Sequence, residues 1–148
     1  MLINGGNRMN NKTLFIIILL LFGLTAYAAS AEHSFSDCLR DCSEYFSSQT
    51  VSLSSVNLTT KRQILGLNKE NLCQYKEIVS SDNSVYTVNC KFTKTQRKSL
   101  AKILDEFDKN PENDKMDFND FSQVQSSSVY EAWSNYLQDP SVCEITTN

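Results

Sequence analysis

Five cysteines, Cys38, Cys42, Cys73, Cys90 and Cys143, stand behind an apolar leader in a chain of 148 residues. An exported chain folds where thiols oxidise, so these positions constrain which segments can lie side by side. Cys38 and Cys42 are one helical turn apart. That spacing fits a redox pair or, with His33, a metal site. It matches neither the haem-attachment pattern nor common zinc patterns, and disulfide staples are the expected outcome. Five is odd, so one thiol is left free or bridges two chains in a disulfide-linked dimer.

The leader is read as an export signal. Lys12 precedes an uninterrupted apolar run from Leu14 to Leu24, shorter than the roughly 20 residues that a membrane span needs. Ala26-Tyr27-Ala28 and Ala29-Ser30-Ala31 offer small residues for cleavage. Residues 1–31 are therefore expected to be removed before Glu32, leaving no stable membrane span. Gly5-Gly6 can be encoded by GGAGGN, a purine-rich ribosome-binding sequence ahead of Met9, which points to Met9 as the start and to a bacterial host. Residues 32–148 then form one exported domain, large enough to bury a core. Removing Arg8 and Lys12 leaves 14 − 2 = 12 basic residues against 17 acidic ones, a net charge of −5. Such a balance argues against a nucleic-acid partner.

Within the domain, Ser34 to Phe46 reads as a first helix with Phe35, Leu39, Cys42 and Phe46 on one face. Gln49 to Thr60 is rich in serine and threonine and reads as a loop or short edge strand. Asn57-Leu58-Thr59 inside it matches the glycosylation sequon, relevant only in a eukaryotic secretory host. Thr60 to Leu67 reads as a short helix ended by Gly66, and 68–71 as a turn. Leu72 to Val79 and Val85 to Phe92 alternate as strands of a hairpin. A turn centred between Ser81 and Asp82 sets Cys73 opposite Cys90, within disulfide reach. Cys143 would then tie the tail to Cys38 or Cys42. Near the end, Ser128 and Glu131 have capping-box spacing, and Val129, Trp133, Tyr136 and Leu137 form an apolar stripe that Asp139-Pro140 stops. The fold expected is a small disulfide-stapled α+β domain: an N-terminal helix, a central β-hairpin, then C-terminal helices on its apolar face.

The helix with the strongest pattern begins at Thr93, which Gln96 can cap reciprocally. Leu100, Ile103, Leu104 and Phe107 share one face. Its charges oppose its dipole: Lys94, Arg97 and Lys98 crowd the positive end, and Asp105, Glu106 and Asp108 the negative one. Each placement costs about 0.3–1 kcal/mol unless offset. A bound cation would offset the acidic end.

The following loop carries oxygens at suggestive offsets. Leu104-Asp105-Glu106-Phe107-Asp108-Lys109-Asn110 and Lys115-Met116-Asp117-Phe118-Asn119-Asp120-Phe121 together resemble an EF-hand. The resemblance implies side-chain ligands from Asp108, Asn110, either Glu112 or Asn113, Asp117 and Asp120, with a carbonyl from Lys115, around a weakly held, structural Ca²⁺. Asp108 to Asp120 spans one residue more than the family's loop. Asp114 stands where the family has glycine, and Asp120 replaces the closing glutamate. A solvated acidic connection between two helices is the alternative.

No nucleophile elbow, phosphate-cradling glycine loop or histidine-rich zinc motif is present. The expectation is an exported, non-enzymatic binding protein, periplasmic or extracellular, with an unknown protein or surface ligand as partner. Beyond Ca²⁺, no cofactor is indicated. The competing class is an exported enzyme using the leftover thiol or the clustered carboxylates. An exposed cysteine in a cleft would favour the enzyme, and thiols all buried or paired would favour the binding protein.

Overall fold

The computed structural model describes residues 34–53, 56–82, 84–112, 123 and 125–147. The signal segment, and with it the cleavage site and His33, lies outside them. The architecture overturns the expected one. In place of a lone hairpin there is a five-stranded antiparallel sheet in the order β1-β2-β3-β4-β5. Among the described residues a helix precedes it, two helices follow β4, and the chain returns as the fifth strand. The elements are α1 (Phe35–Asp41), β1 (Tyr45–Leu53), β2 (Val56–Leu67), β3 (Cys73–Ser81), β4 (Ser84–Phe92), α2 (Lys94–Asp108), α3 (Ser128–Gln138) and β5 (Cys143–Thr147).

Strand β1 begins at the end of the expected first helix and continues into the stretch read as a loop or short edge strand, where it is an edge strand. Strand β2 takes the rest of that stretch and the expected short helix from Thr60 to Leu67. Leu58, Thr60, Arg62 and Ile64 are all buried and alternate with residues facing the other way, the two-residue period of a strand. Two of those inward positions are polar, which hides the period from any count of apolar residues. Threonine and valine favour extended backbone once a neighbour supplies the ladder, and β2 has one on each side. Gly66 does not end a helix. It has φ +88° beside a register shift where Leu65 is the extra residue between Ile64 and Gly66. A bulge needs that left-handed backbone, and glycine adopts it at no steric cost.

Helix α1 is shorter than expected. Ser34 caps its start, accepting from the Asp37 amide at 3.2 Å. Cys42 closes its end with φ 56°, so the chain turns away before Phe46, which joins β1. Helix α2 forms where its pattern places it, with both halves of the Thr93–Gln96 capping box made, at 2.8 and 3.3 Å. Helix α3 is capped one residue earlier than expected, by Ser127 accepting from the Tyr130 amide.

The helices lie on one face of the sheet. Tyr75 and Val79 of β3 and Val88 and Phe92 of β4 meet Leu39, Leu100, Leu104, Trp133 and Leu137 in one core. Trp133 is fully buried, with its ring 5.4 Å from Tyr75 and 5.9 Å from Phe92. Among the described residues no helix is long and apolar enough to cross a membrane.

Candidate functional site

The cysteines pair differently from expectation. Cys42 bonds Cys73, and Cys90 bonds Cys143. The reason is register. The last ladder pair before the hairpin turn is Ser81 with Ser84, so the turn centres one position later than expected. Cys73 then faces Phe92, and Tyr75 faces Cys90. On the other side of β4, Cys90 lies directly opposite Cys143 of β5, with Cα atoms 4.1 Å apart. Cys73 is left for α1, whose left-handed terminus turns Cys42 towards it. Two disulfides mean that the chain folds in an oxidising environment. Cys38 is the free thiol, 5% exposed and packed in the core.

The candidate Ca²⁺ ligands divide. Asn113, Lys115, Asp117 and Asp120 lie outside the described residues. Asp108, Asn110 and Glu112 are exposed at the end of α2. Asn110 Oδ1 accepts from the Glu112 amide at 3.1 Å, a local Asx turn. The Asp108 carboxyl is pushed up by partial desolvation and then by the neighbouring Asp105 charge. Among the described residues no three His, Cys, Asp or Glu side chains cluster as a metal site would require.

Part of the reversed charge along α2 finds a counterpart on helix α1. Ser36 Oγ donates to Asp105 Oδ1 at 2.5 Å, and the Arg40 guanidinium bonds Asp105 Oδ2. Farther back, Arg97 donates to the backbone carbonyl of Arg40. The two helices therefore run antiparallel. The basic start of α2 meets the partially negative end of α1, and the acidic end of α2 meets the first turn of α1. Arg40 also pairs with Asp37 at 2.5 Å.

A second polar group sits inside the sheet, where sequence reasoning expected none. Arg62 of β2 and Glu77 of β3 are direct ladder partners, 2% and 1% exposed. Arg62 Nε lies 3.7 Å from Glu77 Oε1, while Tyr75 donates its hydroxyl to Glu77 Oε2. Burial pushes the Glu77 carboxyl up, and the Arg62 charge opposes that shift. Burial, followed by the Glu77 charge, pushes the Tyr75 hydroxyl well above 10. Charges this deep gain little net stability, because desolvation offsets their attraction. The signal that could have located the pair is the alternation Leu58-Thr60-Arg62-Ile64, which puts Arg62 inside once β2 is read as a strand.

The surface feature that stands out lies at the free edge of the sheet. Phe46, Leu65 and Leu67 are the exposed large hydrophobics among the described residues, at 63%, 50% and 52%. Phe46 points outward opposite Gln63, and Leu65 is thrown out by the bulge. Between them runs a groove of about 390 Å³ lined by Glu44, Tyr45, Phe46, Gln63, Ile64 and Leu65. Strand β1, YFSSQTVSL, has no charge and no proline, the residues that usually discourage pairing at an open edge. Compared with known proteins, the chain matches no family model, no curated protein and no solved structure.

Proposed function

We propose that this chain is an exported, non-enzymatic binding protein, acting in the periplasm or outside the cell. Its contact surface is the open edge of β1 with the apolar patch beside it. The observation that carries this reading is the groove that exposed Phe46 and Leu65 line beside the start of a nine-residue, uncharged edge strand. An extended partner segment added to β1 would satisfy the outward main-chain groups, and an apolar side chain from it would fill the groove. Solitary exposed apolar side chains need no explanation, but Phe46 and Leu65 line one groove together.

The state of the thiols supports binding over thiol chemistry. Cys42, Cys73, Cys90 and Cys143 are bonded, and Cys38 is closed off in the core. A catalytic thiol has to reach its substrate.

The test is covalent capture in the cells that make the protein, using a short cross-linker on wild type and on a Phe46→Ser, Leu65→Ser double variant. The expected result is a discrete cross-linked species with wild type that the double variant loses while its circular dichroism is unchanged. Wild type giving no discrete species, or the variant capturing the same species equally well, would refute the β1 surface.

A further inference from the structure

The face of the sheet opposite the helices carries a feature that the β1 edge does not use. Lys61, Lys76 and Lys91 each sit between two inward-facing buried residues and so point outward. The register lines them up. Lys61 pairs with Ile78, two residues from Lys76, and Lys76 pairs with Asn89, two residues from Lys91. Both steps go the same way, so the three lysines form one straight diagonal across three adjacent strands. Diagonal neighbours of this kind are separated by about 7–8 Å.

Like charges this close repel, and little on the face relieves them. None of the ion pairs among the described residues involves these lysines. Glu144, opposite Asn89 on β5, is the one outward-facing acid on the described strands. This basic row belongs to a chain whose net charge is −3. Around it stand hydrogen-bonding side chains, Gln63, Gln74, Thr87 and Asn89. On the described strands the one aromatic ring on this face is Phe46 of β1, opposite Gln63.

We infer that the outward face of β2, β3 and β4 binds an anionic polysaccharide, whose acidic groups meet Lys61, Lys76 and Lys91. Spaced cations select a polymer with repeated negative charge. The amide and hydroxyl side chains between them match sugar hydroxyls. Single-stranded nucleic acid fits less well, because successive bases each require an aromatic surface to stack on, and among the described residues this face offers one ring, Phe46. An extended peptide also fits less well, since its main chain pairs with a sheet edge and not with a sheet face. The surface adjoins the β1 contact at Gln63, and the lysine variants and Phe46→Ser separate the two, so each can fail without the other.

The experiment measures affinity of the folded protein for two defined polyanions, polygalacturonate and heparin, with neutral dextran as control. The polyanion that binds more tightly distinguishes carboxylate from sulfate as the preferred group. Each of Lys61→Gln, Lys76→Gln and Lys91→Gln is expected to weaken binding about five-fold, near the effect of one lysine at an anionic surface. The triple variant should lose about a hundred-fold by the same reckoning. A matched triple on the exposed side of α2, Lys94→Gln, Lys98→Gln and Lys102→Gln, should change little, as should Phe46→Ser. The inference is overturned if neither polyanion binds wild type, if dextran binds as well, if the α2 triple loses as much, or if oligothymidylate binds more tightly than both polyanions.

Discussion

The Arg97 guanidinium, in the first turns of α2, donates a hydrogen bond to the backbone carbonyl of Arg40 at the end of α1. That contact makes sense of a charge pattern that α2 alone cannot support. A cation is unfavourable at the start of its own helix, yet here it closes the carbonyl end of an antiparallel neighbour. Arg97 is nearly buried, at 7% exposure. The Asp105 contact at the other end is more open, with side chains 33% and 27% exposed.

The two ends of this clasp should therefore differ in weight. Arg97→Met is predicted to cost about 1.5–3 kcal/mol, the range for a hydrogen bond to a charged group. Asp105→Asn should cost at most about 1 kcal/mol, because solvent screens the pair. Urea unfolding of both variants gives the order, and a larger loss from Asp105→Asn would reverse this account of the helix pair.

Loss of the disulfides should follow the size of the loops they close. The separations are 31 residues for Cys42–Cys73 and 53 for Cys90–Cys143. Chain-entropy reasoning gives about 3.7 and about 4.2 kcal/mol respectively. Serine pairs replacing each disulfide should both lower the melting temperature, the 90/143 pair slightly more. An unchanged melt for either pair would mean that its crosslink is not formed in the folded protein.

Glu77 sets a pH dependence with a definite sign. Its folded pKa is raised above the ordinary 4.5 by burial. Its contribution is thus fully present below that value and is lost as pH rises through the folded pKa. Glutamine at this position keeps an acceptor for the Tyr75 hydroxyl but cannot ionise. The stability of wild type relative to Glu77→Gln should fall between pH 4 and pH 8. Subtracting the variant removes the opposing contributions of Asp37 and Asp139, whose carboxyls are held low by hydrogen bonds to Ser34 and to Ser141. A difference that rises with pH would show that Arg62 outweighs desolvation.

The apolar patch should matter for binding and not for folding. Phe46 is 63% exposed, and surface substitutions of this kind usually shift stability by no more than about 0.5 kcal/mol. Phe46→Ser is predicted to melt like wild type while losing partner capture. A loss of several degrees would instead mark Phe46 as part of the packed core.

What the sequence revealed depended on whether an element carries its own signal. Helix α2 has a reciprocal cap and a clean apolar face, and both ends of that description hold in the structure. The β3–β4 hairpin also announced itself by alternation. Its register did not, because moving the turn centre by one position re-pairs every residue and replaces Cys73–Cys90 with two long-range disulfides. Strand β2 was hidden by Thr60 and Arg62, polar residues at inward positions, of which Arg62 finds the Glu77 carboxylate on the next strand. Strand β5 draws its pairing from Cys90 and Val88, which are far away in the chain. The partners of Asp105 and Arg97 could not be read from the pattern of α2, because they lie on α1, more than fifty residues earlier. Phe46 looked like one face of a helix until Cys42 ended that helix early. No local pattern could have placed it beside Leu65.

A covalent frame of two disulfides leaves Cys38 sealed in the core, and peptide mapping with thiol labelling tests that frame most directly. Native protein is alkylated with iodoacetamide, quenched, then digested without reductant. The predicted fragments join Cys42 to Cys73 and Cys90 to Cys143, with Cys38 labelled only when denaturant is present during alkylation. A Cys73–Cys90 fragment, or rapid labelling of Cys38 in the native protein, would contradict the register of the hairpin or the case for binding over thiol chemistry.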